Sequence, residues 1–179
     1  MSILKVARMG HPVLRQKARP LERADLRSPA LQKLIDDMIE TMSEYHGVGL
    51  AAPQIHEGLR LFVATLDHDE SVEAPSPPIA IINPEIIQVG SAVEEDWEGC
   101  LSIPDIRGRV PRAVEVKLRA WGRDGERLEL TARHYAARVI QHETDHLDGI
   151  LFFDRMRSFE SLTFLDEYSR YWVKNDEDD

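Results

Sequence analysis

Apolar residues recur at helical spacing over residues 31–42. They are Leu31, Leu34, Ile35, Met38, Ile39 and Met42. These positions follow the i, i+3, i+4, i+7 pattern of a helix with one buried face. Ser28 is suited to cap the N-terminus of that helix, and Pro29 then takes its first position. We therefore predict a helix that begins after Ser28 and ends near residues 45–47.

Two more helices are predicted in the last third of the chain. Residues 134–140 contain neither Pro nor Gly, and Gly149 stands where the C-terminus of a helix is expected. A last helix is predicted over residues 158–173. Its inner face would consist of Phe159, Leu162, Leu165, Tyr168 and Trp172.

Strands are predicted between the first two helices, where apolar residues cluster or alternate with polar ones. The predicted strands are 59–65, 79–82, 86–89, 113–121 and 127–131. A turn at Asn83 and Pro84 separates the second from the third, and a glycine-rich turn joins the last two into a hairpin. Residues 67–78, acidic and then Pro-rich, predict a mobile surface loop.

This order of elements predicts an α+β domain. Antiparallel strands would pack around a buried central helix, with one further helix towards each end of the chain. A chain of 179 residues with 42% apolar residues can form one such domain, which we expect to span residues 1–179. Within it, we expect residues 1–10 to form an extended arm and residues 174–179 an acidic tail.

The charge and the lack of long apolar runs narrow the function classes. The formal net charge is −10 and the sequence pI is ≈ 5.2, which argues against a broad basic face for nucleic acid. No run approaches the roughly 18 apolar residues of a membrane span, and the N-terminus lacks the features of a signal peptide. We therefore expect a cytoplasmic protein that neither spans a membrane nor binds nucleic acid directly.

Residues 142–146 have the sequence H-E-T-D-H, within the second predicted helix. Side chains four residues apart lie on one face of a helix, so His142 and His146 can bind one divalent metal. Glu143 then lies beside the metal, where a general base for a water molecule belongs. Two His leave a catalytic metal one protein ligand short, so a third ligand must come from elsewhere in the chain.

The single cysteine, Cys100, is the candidate for that third ligand. A lone cysteine is most often a small buried apolar residue, and without a second cysteine no disulfide within the chain is possible. Cys100 lies between Gly99 and Pro104, where we predict constrained, irregular backbone that can aim a side chain inward. A thiolate and two imidazoles give three ligands and leave one tetrahedral position for water.

Three segments together resemble a known enzyme family. Residues 47–54 (GVGLAAPQ), 98–102 (EGCLS) and 141–146 (QHETDH) match, in order, the three motifs of peptide deformylases. The resemblance extends from about residue 9 to about residue 156. It implies a metal-dependent hydrolase that removes the formyl group from the N-terminal formyl-methionine of newly made polypeptides and releases formate.

The resemblance also implies a role for each motif residue. The metal ligands would be Cys100, His142 and His146. Glu143 would be the catalytic acid and base, and the Gln54 amide with the backbone N–H of Leu101 would form the oxyanion hole. The family implies one Fe(II) ion, with Zn, Ni or Co able to substitute, whereas the ligand set alone favours zinc.

The methionine side chain of such a substrate needs an apolar pocket beside the metal. Tyr135 and Val139 precede His142 on the same helix face and would line that pocket. Val48 would form the opposite wall. Plain core packing explains these three pocket residues equally well.

Contacts to the substrate backbone are predicted in the glycine-rich motif. Gly47 and Gly49 leave room for another backbone, so residues 47–50 can pair with the substrate as an added strand. Arg107 matches an arginine that lies near the substrate in the family. A surface ion pair would explain Arg107 equally well.

Two other interpretations of the metal motif stay open at this point. A zinc peptidase of the gluzincin type takes its third ligand from a carboxylate about twenty residues after the second His, where Asp166 and Glu167 fall. A non-catalytic structural metal would need four protein ligands and no water, and the presence of Glu143 argues against it.

The end of the chain departs from some members of the family. Their C-terminal helix is basic and contacts the ribosome, whereas residues 174–179 here include four acidic side chains. Because ribosomal RNA repels acidic groups, the sequence argues against that contact.

Overall fold

Two antiparallel sheets and three α-helices form the described part of the computed structural model, residues 2–66 and 76–173. The helices are α1 (Pro29–Glu44), α2 (His134–Leu147) and α3 (Leu165–Tyr171). Short 3₁₀ helices are Pro12–Arg15, Arg23–Asp25, Ala52–Ile55 and Phe152–Arg155. The arrangement confirms the predicted α+β class.

The larger sheet has the strand order β1–β2–β3–β6–β7, with every neighbouring pair antiparallel. Its strands are β1 (Gly49–Ala51), β2 (Leu61–Ala64), β3 (Ile79–Val89), β6 (Glu115–Trp121) and β7 (Arg127–Arg133). The smaller sheet has the order β4–β5–β8 and is also antiparallel. Its strands are β4 (Val93–Cys100), β5 (Ile103–Ala113) and β8 (Thr163–Phe164).

Helix α1 covers one face of the larger sheet. Its apolar stripe includes the fully buried Ile35 and Met38, which pack in one cluster with Leu61 and Val63 of β2. The Ser28 hydroxyl accepts a hydrogen bond from the N–H of Leu31 at 3.3 Å, as predicted for the helix cap. Since β2 alternates its side chains, its other two residues face the opposite side of the sheet.

Helix α2 lies between the two sheets. It contacts β1, β2, β6 and β7 of the larger sheet and β5 of the smaller one. Ala137, Ile140 and Leu147 are fully buried and pack against Phe62 from the second face of β2. Gly149 follows the helix with φ +74°, the left-handed conformation expected at its C-terminus. The prediction of a buried central helix flanked by strands is thus confirmed.

One predicted turn is wrong. Strand β3 runs without interruption from Ile79 to Val89 through Asn83 and Pro84. Asn83 has φ +50°, and the pairing with β6 shifts register between Ile82 and Glu85. This bulge accommodates the proline, which has no N–H to donate to the ladder.

The backbone around Cys100 is irregular, as predicted, although it belongs to a strand hairpin. The β4–β5 register shifts between Gly99 and Cys100, and Asp105 has φ +62°. Cys100 is the last residue of β4, and after two turn residues the chain returns as β5, starting at Ile103. The two strands pair in register from Val93 opposite Ala113 to Gly99 opposite Arg107. The thiol is therefore held at the closed end of a long hairpin.

The predicted last helix is also wrong over most of its length. Helix α3 has only seven residues, none of them buried. Phe159 is 67% exposed, and Thr163 and Phe164 form a strand on β5. Only Leu165 and Tyr168 of the predicted inner face lie in this short helix.

Parts of the ends and of one loop fall outside the described residues. This applies to 67–75 of the predicted surface loop and to the whole acidic segment 174–179. Residues 2–8 form neither helix nor strand, and the N–H of Ala7 donates to the carbonyl of Gln54 at 2.7 Å. Within 2–66 and 76–173, no helix combines the length and the apolar character needed to cross a membrane.

Candidate metal centre

Three predicted metal ligands from two distant segments meet beside helix α2. Because His142 and His146 are one helical turn apart, both imidazoles face the closed end of the β4–β5 hairpin. The ligand atoms of Cys100, His142 and His146 all lie within 4.8 Å of one another. Over the described ranges, this is the only such group of His, Cys, Asp or Glu residues.

The thiol of Cys100 lies next to the imidazoles of His142 and His146. Its Sγ lies 3.2 Å from Nε2 of His146, and the residue is 8% exposed. Burial alone would raise the pKa of the thiol, but the charge of His146 and hydrogen bonds with both imidazoles hold the pKa well below its usual value. The site therefore favours the thiolate, the form that binds a metal.

Glu143 points a carboxylate oxygen into the site without a protein partner. The residue is 4% exposed, and its Oε2 finds no hydrogen-bond partner among the described residues. Burial raises the pKa of this carboxyl group. A buried oxygen beside a thiolate and two imidazoles fits a metal site with room for water, because water supplies the missing hydrogen bond.

A buried carboxylate, Glu98, fixes the orientation of His142. Its Oε2 lies 2.9 Å from Nδ1 of His142, which leaves the other ring nitrogen for the metal. Arg112 donates two hydrogen bonds to Glu98, at 2.9 and 3.0 Å, and Arg138 donates a third at 2.9 Å. Burial alone would raise the pKa of Glu98, but the hydrogen bonds from His142 and Arg112 bring it below the ordinary value.

A second carboxylate continues this network behind the metal helix. Asp145 accepts a hydrogen bond from Arg112 at 2.6 Å and two from Arg155, at 2.7 and 3.1 Å. These contacts turn the Asp145 carboxylate towards two arginines. Arg112 of β5 is thus joined to β4 through Glu98 and to α2 through Asp145.

Gln54 turns its amide nitrogen towards the metal ligands. Its Oε1 accepts from the N–H of Ala51 at 2.8 Å. Its Nε2 donates to Ser102 Oγ at 3.2 Å and lies 3.5 Å from Cys100 Sγ. Because the backbone contact fixes the oxygen end, the donor end is held beside the thiol.

A cavity of about 730 Å³ opens over these groups. Eleven of the twelve predicted site residues line it: Gly47, Val48, Gly49, Gln54, Cys100, Leu101, Arg107, Tyr135, Val139, His142 and Glu143. His146, the twelfth, is 1% exposed and lies behind the thiol. The structure thus brings all twelve together around one cleft.

Two glycines of the motifs make room for side chains of this cleft. A Cβ on Gly49 would lie 2.6 Å from Cδ of Glu143 and still closer to its Oε1. A Cβ on Gly99 would collide with the guanidinium group of Arg107, which covers that stretch of β4. Both positions therefore require glycine for a close approach by a neighbouring side chain.

Comparison with known proteins identifies the family. A model of the polypeptide deformylase family matches residues 3–161. The chain belongs to the peptide deformylase family. It is 41% identical to peptide deformylase 2 of a Nostoc species over 97% of both chains. It is 45% identical to the peptide deformylase of Salinibacter ruber, over 88% of this chain and 82% of that protein.

Solved deformylases share the architecture. The crystal structure of peptide deformylase from Thermotoga maritima matches with a TM-score of 0.80 and 39% identity, over 88% of this chain and all of that one. A Met-Ala-Ser-bound structure of a class I type b deformylase from Acinetobacter baumannii matches with a TM-score of 0.81 and 38% identity, over 87% and 100%. The predicted enzyme class, a hydrolase that removes the formyl group from N-terminal formyl-methionine, is confirmed.

The gluzincin alternative is not favoured by these findings. Asp166 and Glu167 lie in the first turn of α3, and neither joins the group of metal-binding residues. Glu167 instead pairs with Arg170 at 3.0 Å. The cysteine of the second motif, by contrast, does lie with the two His.

Several residues at the deformylase cleft were not predicted from the sequence. Glu98 was part of a motif but had no assigned role, although a carboxylate that holds a metal-binding His is a common arrangement. Trp97 and Leu165 also line the cleft. The sequence pattern did not single out Trp97, and it placed Leu165 on the inner face of the last helix. Lys5 and Arg8 reach it from the N-terminal segment.

Proposed function

We propose that this deformylase acts on N-formyl-methionyl peptides through one divalent metal ion held by Cys100, His142 and His146. The observation that carries this proposal is the buried Glu143 carboxylate, which has an unpartnered oxygen beside the three ligand groups. A purely structural metal site does not require a buried carboxylate beside its ligands. A hydrolytic site needs it to handle a proton.

The donor set suits a catalytic metal. One sulfur and two ring nitrogens leave a coordination position open. When bound, the metal supplies Lewis acidity, which lowers the pKa of a water from 15.7 towards about 7 and polarises a carbonyl oxygen. Fe(II) is proposed by resemblance to the family, with Zn, Ni or Co able to take its place.

Glu143 moves the protons of the reaction. Its Oε2 accepts the proton of the attacking water and then delivers it to the nitrogen of the departing amine. Burial shields this carboxyl group from bulk solvent, so the proton stays in the site between the two steps. The products are formate and a peptide with a free N-terminal methionine.

Gln54 and Leu101 stabilise the negative charge that develops on the formyl oxygen. The amide nitrogen of Gln54 is already held on the metal side by the contact of its oxygen with Ala51. The backbone N–H of Leu101 lies in the turn of the β4–β5 hairpin, one residue beyond Cys100. Donors fixed before the reaction begins need no reorganisation during it.

The methionine side chain occupies the apolar end of the cleft. Tyr135 and Val139 line it from α2, and Val48 lies opposite them in the glycine-rich segment. Burial raises the pKa of Tyr135 to about 12, so its ring stays neutral at physiological pH. Uncharged walls are what a thioether side chain requires.

The substrate backbone pairs with the glycine-rich segment. Strand β1 is the edge of the larger sheet and has only β2 as a neighbour over the described residues. Its free edge begins at Gly49, preceded by Gly47 and Val48 at the cleft. An extended peptide can therefore add to β1 as a strand, with Arg107 on the other side of the cleft.

The setting of the reaction follows from the substrate. Formyl-methionyl chains are made by ribosomes, so we propose a cytoplasmic enzyme that meets them as they emerge. The acidic segment 174–179 would be repelled by ribosomal RNA, so we expect no docking through it. Strong binding to ribosomes at low salt that depends on this segment would contradict this expectation.

Formate release from a formyl-Met-Ala-Ser peptide tests the proposed function. The protein is purified without oxygen, and the metal content of the same sample is measured. Gln54→Ala should lower turnover by two to three orders of magnitude, since one oxyanion donor contributes about 3 to 4 kcal/mol to barrier lowering. Absence of formate from the metal-loaded wild type would refute the proposal.

A further inference from the structure

The hydroxyl of Ser102 lies directly behind the amide of Gln54. Its Oγ accepts a hydrogen bond from Nε2 of Gln54 at 3.2 Å. Ser102 is completely buried and is not among the described residues that line the cleft, so it does not touch a substrate. The chemistry derived above gives Ser102 no part, and its one side-chain contact is with the proposed oxyanion donor.

Two fixed contacts set the direction of the Gln54 amide. Its Oε1 accepts from the N–H of Ala51, a group that can only donate, so the oxygen end cannot turn towards the metal ligands. One of the two hydrogens on Nε2 is taken up by Ser102. The other hydrogen remains for the sulfur of Cys100, 3.5 Å away, or for a substrate oxygen.

The N-terminal arm joins the segment of Gln54 to the segment of Ser102. The N–H of Ala7 donates to the carbonyl of Gln54 at 2.7 Å, and the N–H of Met9 donates to the carbonyl of Ser102 at 2.8 Å. Gln54 lies in the 3₁₀ helix after β1, and Ser102 lies in the turn of the β4–β5 hairpin. The arm is therefore the backbone link between these two parts of the site.

The beginning of the arm is fixed on helix α1. The N–H of Ser2 donates to Oδ1 of Asp37, and the N–H of Leu4 donates to Oγ1 of Thr41, both at 2.9 Å. Asp37 and Thr41 are buried. The arm is thus held at its start as well as at the site.

A tight turn fixes the end of the arm at Met9. The N–H of His11 donates to the carbonyl of Arg8 at 3.0 Å, which closes a four-residue turn. Gly10, the third residue of this turn, has φ +103°, and Met9 is not among the residues with positive φ. This combination defines a type II turn, in which proline is favoured at the position of Met9.

We propose that Ser102 is a positioning residue for Gln54, and that the N-terminal arm holds Ser102 in place through Met9. The proposal rests on the deformylase reaction proposed above, in which the Gln54 amide stabilises the negative charge on the formyl oxygen. That charge develops only in the transition state. Loss of the alignment should therefore lower kcat and leave KM unchanged.

Ser102→Ala tests the positioning of Gln54 by formate release from formyl-Met-Ala-Ser. The metal-loaded variant should lose roughly threefold to tenfold in kcat, as expected for one neutral hydrogen bond, with the same KM and metal content as the wild type. In a Gln54→Ala enzyme, Ser102→Ala should cause no further loss, because the group that it positions is absent. A general structural role would lower kcat by the same factor in both backgrounds.

Met9→Pro tests the arm, and it decides the question if Ser102→Ala does not fold. Proline suits the turn and removes the N–H that binds the carbonyl of Ser102. We expect kcat to fall roughly twofold to fivefold when Gln54 is present and not at all in the Gln54→Ala enzyme. Met9→Ala is the matched control. It keeps the N–H and changes only a side chain of an exposed residue, so kcat should be unchanged.

The outcomes separate this inference from the proposed function. An unchanged kcat in Ser102→Ala, or the same loss with and without Gln54, would overturn the positioning role. A Met9→Pro enzyme as active as Met9→Ala would overturn the part of the arm. No formate from the metal-loaded wild type would overturn the proposed function itself, and this inference with it.

Discussion

Gly49 provides the space in which the Glu143 carboxylate lies. A Cβ at residue 49 would meet the far end of the Glu143 side chain rather than backbone. We expect Gly49→Ala to displace that carboxylate at little cost in stability and to lower turnover about 100-fold, since a 1 Å misplacement has an effect of that size. Formate release and thermal unfolding of the same sample measure both quantities.

Gly58→Ala is the matched control for this change. A Cβ there meets nothing within 4 Å, so activity and stability should both stay near those of the wild type. A fully active Gly49→Ala enzyme would show that Glu143 does not need its position. A Gly49→Ala protein that is inactive because it does not fold would show that the glycine serves the sheet instead.

Glu98 gives a prediction about metal affinity. Glu98→Gln removes the charge that faces His142, Arg112 and Arg138, so that Asp145 alone remains as the buried counter-ion of Arg112. Metal affinity should fall 10- to 100-fold, as is typical when the partner of a metal-binding His is lost. The free energy of unfolding should fall by about 3 kcal/mol.

Metal titration against a competing chelator and denaturant unfolding measure these two effects. Glu94→Gln is the control, because the Glu94 side chain is 58% exposed. Its single ion pair, with His134, is long at 3.9 Å and therefore weak. If Glu98→Gln kept the metal affinity of the wild type, the orientation of His142 would have to come from the helix alone.

The residue identities of the site could be predicted from the sequence because their chemistry is distinctive. His142 and His146 are related by a fixed helical spacing, and Cys100 is the only thiol. The role of Glu98 could not be predicted in the same way. Its partner Arg112 is on the opposite strand, 14 residues away, so the pair exists only once the β4–β5 register is known.

At the scale of elements, α1 and α2 were predictable because the periodicity and the end signals agree. Strand β4 was missed because residues 93–98 carry four acidic side chains, which are rare in strands. Its ladder with β5 and the cations around Glu98 outweigh that preference. The sequence before and within α3 has helical periodicity. In the structure, however, Phe164 lies in a strand that pairs with β5, and Trp172 packs against Trp97.

Gly149 yields a prediction about the end of the metal helix. It has φ +74°, and a Cβ there would lie 2.7 Å from the backbone oxygen of Arg15. Gly149→Ala combines a left-handed alanine, which costs about 1 to 2 kcal/mol, with a clash against backbone that cannot turn aside. The free energy of unfolding should therefore fall by about 3 kcal/mol or more, measured by urea denaturation.

Gly10→Ala separates the two contributions to that loss. Gly10 also has a positive φ, +103°, but a Cβ there meets nothing within 4 Å. It carries backbone strain without a clash, so its loss should be the smaller of the two. Equal losses would mean that the nearby Arg15 backbone adds nothing to the cost of an alanine at residue 149.

For the whole molecule, a bound metal should stabilise the fold by linking α2 to the β4–β5 hairpin. Two of its ligands come from α2, and the third comes from the β4–β5 hairpin of the smaller sheet. A ligand that binds only the folded state stabilises it by about 4 kcal/mol at a concentration of 1,000 Kd. For a chain of this length, removal of the metal should lower the Tm by about 8 to 16 °C.

Thermal unfolding with and without a chelator measures this shift, and two variants identify the third ligand. Cys100→Ser should unfold at nearly the same temperature with and without the chelator, because the hairpin no longer holds the ion. Asp166→Asn should keep the full shift, since that carboxylate lies in α3 outside the ligand group. The reverse pattern would assign the metal to the α3 carboxylate, and the link between hairpin and helix would then be made by the protein alone.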